Sequence, residues 1–268
     1  MKLWPGQAGK AMEKAESSGS RGLSSCILKV IACISMLIDH ATYAFIPETD
    51  PNGWMGVSVP YLIGRCLGRS AFVIFSFLLV EGFHKTGDRR KYALRILICA
   101  IISEPVFDNL CGTLNASEFL VHQNVLFSFV LGILCMILLE MVRERFGYSF
   151  DTYSRVKYNL SAAFICLAGF LSAYYLRLDH GGIGLGLVFL FYFLKGTEKW
   201  KLVLAIFAWS IACFFFDQYL EWAGILAAIP ICLYSGERGR ISKWFFYIFY
   251  PTHMLVLWIL HVLVLSSR

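Results

Sequence analysis

Charge is scarce in this sequence. Only 16% of its 268 residues are Asp, Glu, Lys or Arg, against 58% that are hydrophobic, whereas a soluble domain carries about 25% charged residues. Water is therefore not the main solvent of the chain. The sequence also lacks a CxxC pair and any Cys/His spacing of the metal-ligand type. Its nine cysteines, an odd number, lie mostly within apolar runs, so neither a disulfide framework nor a metal site is supported. No repeat of array type and no second domain is visible. The net charge of +6 is to be read through its distribution among loops, not as a sign of nucleic-acid binding.

What the sequence does hold is apolar segments of spanning length, which need about 20 residues at 1.5 Å each. Nine are expected, at about 26–46, 60–83, 91–110, 120–142, 158–177, 182–195, 200–216, 220–235 and 244–265. The sixth and eighth are short for a full crossing. The fold class is thus an all-α polytopic membrane bundle. Residues 1–25, rich in Gly and Ser, read as a disordered cytoplasmic tail. All but five of the 24 Lys and Arg fall at one end of the spans when alternate loops are counted together. The five are Arg177, Arg268, Arg65, Arg69 and Arg95. The excess of basic residues in cytoplasmic loops then puts the N-terminus inside and the C-terminus outside.

The first span, ILKVIACISMLIDH, ends on Asp39 and His40. An acid in a spanning helix costs about 3 kcal/mol at mid-helix unless it faces a polar interior. An imidazole there can take a proton near neutral pH while a carboxylate holds its tautomer, so His40 is the candidate base and Asp39 its orienter. Neighbours on a helix diverge by about 100°, so Asp39 has an alternative role as partner of an arginine across the bundle. Arg65 and Arg69, four apart, present two guanidiniums on one side of the second span, and Gly64 and Gly68 form a small face for close helix contact. Glu104, before Pro105, His122, Gln123, Asn124, Tyr250 and His253 are expected at the same outer level as cavity-lining groups, with Pro105 and Pro251 opening the helices there. Glu81, near the inner end, is expected to pair with a basic residue. Arg89 and Arg90 are weak candidates for the phosphates of a cytoplasmic donor.

These residues resemble the TraX family. The likeness runs from Leu28-Lys29 through Leu37-Ile38-Asp39-His40, then Gly64-Arg65, Arg69, Phe72, Phe75 and Phe77 to Phe83. It continues with Lys91-Tyr92, Arg95, Ile102 to Pro105, Gln123-Asn124-Val125 and Phe249-Tyr250-Pro251 with His253. It runs from about residue 27 to 265, nearly all of the chain beyond the tail, and implies one TraX-like transmembrane domain over 26–268. What the resemblance implies is a multi-pass acyltransferase of a bacterial cell membrane, similar to enzymes that draw acetyl groups from cytoplasmic acetyl-CoA. The acceptor would be an amine or hydroxyl at the outer face, on a pilin-type N-terminus or a surface glycan. The bilayer and that acceptor are the expected partners. A transporter or flippase built on the same polar residues, and a non-catalytic factor for conjugation or surface assembly, are the alternatives.

Overall fold

The structure is a computed structural model that describes residues 22–54, 56–112, 122–147, 151–215 and 219–266. Within them the chain is an α-helical bundle. Its helices are α1 (Ser25–Phe45), α2 (Val59–Lys85), α3 (Arg89–Gly112), α4 (Val125–Phe146), α5 (Thr152–Tyr175), α6 (Gly181–Phe193), α7 (Lys199–Phe215), α8 (Ala228–Cys232) and α9 (Lys243–Ser266). A 3₁₀ segment, Tyr219–Ala227, runs straight into α8, so the eighth expected span is a composite of two helix types. Five helices are long and apolar enough to cross a membrane. α6, with 13 residues, reaches only about 20 Å and is shorter than the hydrocarbon core. Most of the tail lies outside the described residues. Its last residues pack on the loop after α8: the Leu23 amide donates to the Leu233 carbonyl, the Leu23 carbonyl accepts from the Ser235 amide, and the Ser24 hydroxyl caps α1 by accepting from the Ile27 amide.

Local chemistry sets most helix starts. The Asn124 side chain accepts from the Leu126 amide and Asp151 from that of Ser154, the N-cap arrangement that satisfies an orphan donor. Pro60 stands in the first turn of α2, where its missing amide costs nothing. One feature is not helical: Thr49–Trp54 forms a short strand that bridges back to Val57, turned by the Asp50 carboxylate accepting from the Asn52 amide. Nothing in its residues alternates as a strand should, so the all-α expectation passed over it.

α2 is the centre of the bundle. It packs on α1, the 3₁₀ segment, α6 and α4, and most of its residues are buried. The α1–α2 contact is as close as the glycine spacing suggests. A β-carbon on Gly64 would overlap Thr42, and one on Gly68 would overlap Asp39. By contrast α5 shows lipid-type surface, with Leu160, Phe164 and Leu167 largely exposed. The helix interior carries a replacement donor at Pro251. The Tyr247 carbonyl, left without an amide by Pro251, accepts the Cys99 thiol at 3.4 Å.

Candidate functional site

Asp39, nearly two turns from the end of α1, is 8% exposed. The absence of side chains at Gly64 and Gly68 lets α2 come close enough for both arginines to reach it. Arg65 Nη1 donates to Oδ2 at 2.7 Å, and Arg69 Nη2 donates to both carboxylate oxygens at 2.7 Å. Arg69 then uses Nη1 to donate to Glu221 Oε1 at 2.6 Å. Glu221, on the 3₁₀ segment, is itself buried and lies 3.5 Å from His180 Nδ1. His180 precedes α6 in the left-handed backbone region at φ 59°, and its ring stacks on Phe72 with centroids 3.9 Å apart. The result is a row of alternating charge, Arg65–Asp39–Arg69–Glu221, with the His180 ring beside its last member, drawn from four segments. Two guanidiniums against two carboxylates balance, which is the condition for keeping four such charges away from water. A leucine at position 68 should push Asp39 off the arginines; thermal unfolding of the detergent-solubilised variant is expected to fall by several degrees, while leucine at the open position Gly186 should have little effect.

His40 donates no hydrogen bond to Asp39, whose two carboxylate oxygens accept from Arg65 and Arg69 instead. Its partner is His253 of α9: His40 Nδ1 and His253 Nε2 are 2.9 Å apart, with rings nearly parallel. The tautomers follow from the far end of the row. His253 Nδ1 is 2.8 Å from the Phe249 carbonyl, which can only accept, so that nitrogen carries a hydrogen. With both rings neutral, His253 Nε2 is then an acceptor and His40 Nδ1 the donor. His40 Nε2 keeps its lone pair and makes no hydrogen bond among the described residues. The Phe249 ring lies parallel to His253 at 4.8 Å and holds the pair in place.

These groups stand at one end of a cavity of about 900 Å³. It follows α1 from Ser25 to Tyr43, about 27 Å at 1.5 Å per residue, and so runs through most of the thickness of the bundle. Asp39, His40, Arg65, Arg69, His122 and Tyr250 all line it, and Asp108, Asp179 and His180 join them. Glu104, Gln123, Asn124 and His253 stand behind the wall. Glu104 accepts from the Asn124 backbone amide at 3.1 Å and also from its side-chain amide, while Asn124 donates to the Ala100 carbonyl at 3.0 Å and so ties α3 to α4. Gln123 works through its backbone, bridging to the turn before α6: its amide donates to the Arg177 carbonyl, and its carbonyl accepts from the Asp179 amide. Arg89 and Arg90 do not line the cavity but a smaller pocket that shares Thr86 and Gly87 with it, and Arg89 leans toward the buried Glu140, 3.8 Å away. Glu81 pairs with Lys85 at 3.0 Å and with Lys195, as its position near the inner end suggests. Among the described residues no cluster of His, Cys, Asp and Glu is arranged to hold a metal.

Fold and site together define a polytopic membrane protein with a charge-balanced polar centre and a free imidazole nitrogen inside its helical bundle. The chain belongs to the TraX protein family, which it matches over residues 24–261. It is also similar to a protein of Dichelobacter nodosus described as a probable fimbrial assembly protein FimC of serogroup H1. The two are 32% identical over 117 residues, which is 41% of this chain and 44% of that protein. The chain thus spans less than half the length of that relative. No solved structure matches.

Proposed function

We propose that this protein is a membrane acyltransferase that moves an acetyl group from a cytoplasmic CoA thioester to an amine or hydroxyl at the outer face. The observation that carries the reading is His40 Nε2, unprotonated and unengaged, at one end of a cavity that continues to the opposite side of the bundle. In the reaction the acceptor nitrogen or oxygen attacks the thioester carbonyl and gives its proton to His40 Nε2. The tetrahedral intermediate collapses, the C–S bond breaks, and the thiolate leaves with that proton returned by the imidazolium. Each turnover consumes one thioester and releases one free thiol, and His40 ends as it began. Arg65 and Arg69 supply positive potential where the oxyanion forms. The membrane is the plasma membrane of a bacterium, with the N-terminus inside. The described name of the Dichelobacter relative favours a fimbrial or pilin-type subunit as acceptor.

The test is transfer of label from [acetyl-¹⁴C]acetyl-CoA into acceptor material in inverted membrane vesicles. Label is expected with the wild-type chain and background with His40→Ala; undiminished labelling in the variant would discard the base. A second reading, a non-catalytic assembly factor, draws on the same fimbrial name. It expects His40→Ala to leave pilus assembly intact as long as the protein is inserted.

A further inference from the structure

The end of the cavity remote from His40 has a chemistry of its own. Lys29, Lys85, Arg95 and Arg238 line it, with Glu81 as the one carboxylate among them. Glu81 is already taken by Lys85 and Lys195 and accepts from the Tyr234 hydroxyl at 3.3 Å. Lys85 also donates to the Gly236 carbonyl at 2.7 Å. Lys29, Arg95 and Arg238 therefore stand without a carboxylate partner among the described residues. Their neighbours are aromatic or cationic: Lys29 lies 5.0 Å from the centre of the Phe246 ring, Arg95 reaches the Tyr247 phenol, and Arg238 is near enough to Lys29 for the two charges to repel. The Arg95 Nε is buried with no acceptor.

This arrangement is fixed by the fold and is not an accident of long side chains. The loop after α8 is stitched to the start of α1, where the Ser25 and Cys26 amides donate to the Glu237 and Arg238 carbonyls. Gly239, at φ 77°, lies against Ser24 and Cys26 where a β-carbon would clash. Since those first-turn amides are spent on carbonyls, an anion here would be held by side chains. Like charges gathered without counter-charge, beside a cavity, are the signature of a site completed by an anion.

Beyond this mouth the walls turn apolar, with Met36, Phe75, Leu79, Ile96 and Phe129. A phosphate could not follow into that throat without losing its hydration. An uncharged, extended arm could. From Lys29 to His40 along α1 is about 17 Å, a length that an extended pantetheine arm covers.

Resting on the acyl-transfer reading above, we propose that Lys29, Arg95 and Arg238 form the phosphate-binding mouth for a CoA thioester, whose pantetheine arm threads the apolar throat to present its carbonyl beside His40. Arg89 and Arg90, the sequence-based candidates, do not line this cavity but a smaller pocket that meets it at Thr86 and Gly87.

The test uses the full chain in nanodiscs of zwitterionic lipid, with CoA binding measured by calorimetry. The variants are Lys29→Gln, Arg95→Gln and Arg238→Gln. Each is expected to weaken CoA at least tenfold, as loss of one charge-assisted contact does. Pantetheine, which lacks phosphate, should bind all four proteins alike. Arg238 is exposed on a loop, so its substitution leaves folding intact, and Lys29→Arg should restore CoA binding where Lys29→Gln loses it. Unchanged CoA affinity in the three variants would overturn the mouth. So would loss of CoA binding when the discs contain phosphatidylglycerol, because the cations would then belong to lipid headgroups. If the mouth variants lose CoA while His40→Ala still transfers acetyl, the mouth stands and the acyl-transfer base falls; the reverse pattern spares the base alone.

Discussion

Alanine at position 40 is expected to lower acetyl transfer by about 10²–10⁴-fold, the usual contribution of a positioned general base, with CoA binding unchanged. His253→Ala should have a smaller and more informative effect. It removes the only acceptor that His40 Nδ1 has among the described residues, so the ring loses both its fixed tautomer and its fixed direction. The arrangement resembles other cases in which one ring nitrogen is set by what the other one bonds to. A misplacement of about 1 Å costs on the order of 10²-fold, and this should fall on kcat with KM for acetyl-CoA unchanged. His253→Gln, whose side-chain oxygen can accept from His40 Nδ1, should recover part of the rate. A structural role for His253 predicts instead that thermal stability falls and that both substitutions lower kcat alike. Steady-state kinetics of the reconstituted protein separate the two.

The part of this site that was legible in the sequence is the part that violates the local solvent. Asp39, His40, Arg65 and Arg69 stand out because ionisable groups in an apolar run are costly and are retained for a reason. Gly64 and Gly68 announced the close α1–α2 contact for the same kind of local reason: spacing on a helix face is a property of a few neighbouring residues. The pairings were not legible. Arg69 and Glu221 are 152 positions apart and His40 and His253 are 213 apart, and no local pattern links them. Glu221 carried the same mark as Asp39, a lone acid among Tyr219–Cys232, yet that stretch is short and its helix type changes midway, which blurs the span. Asn124 and Glu104 look like cavity residues from sequence because both are polar at membrane depth. In the bundle they bond to one another through Glu104 Oε2, and Asn124 also bonds to the Ala100 carbonyl and the Leu126 amide. The continuous cavity could not be read at all, since it depends on how side chains from several helices fail to fill the space between them.

Arg69→Ala is expected to cost more stability than any other single change at the site, on the order of 3–5 kcal/mol, the penalty for leaving a buried charge without its partner. Arg69 holds two carboxylates at once, Asp39 and Glu221, and its own side chain is only 12% exposed. Its removal strands Glu221, which has no other ion pair with a lysine or arginine among the described residues. Asp39 fares better, because Arg65 remains on it. Arg65→Ala should therefore destabilise less than Arg69→Ala, although both remove one guanidinium from the same carboxylate. The double variant Arg69→Met with Glu221→Leu provides the check on cause. It removes one charge of each sign and fills the space with apolar groups, so it should recover much of the stability lost in Arg69→Ala. Denaturation of the inserted protein, followed across this set of variants, distinguishes a charge-pairing role from simple loss of packing, in which case the double variant would be no more stable than the single one. The same set bears on chemistry: if the potential at Arg69 also helps to hold an oxyanion, the stability-restored double variant should insert normally, bind CoA normally and still transfer acetyl slowly.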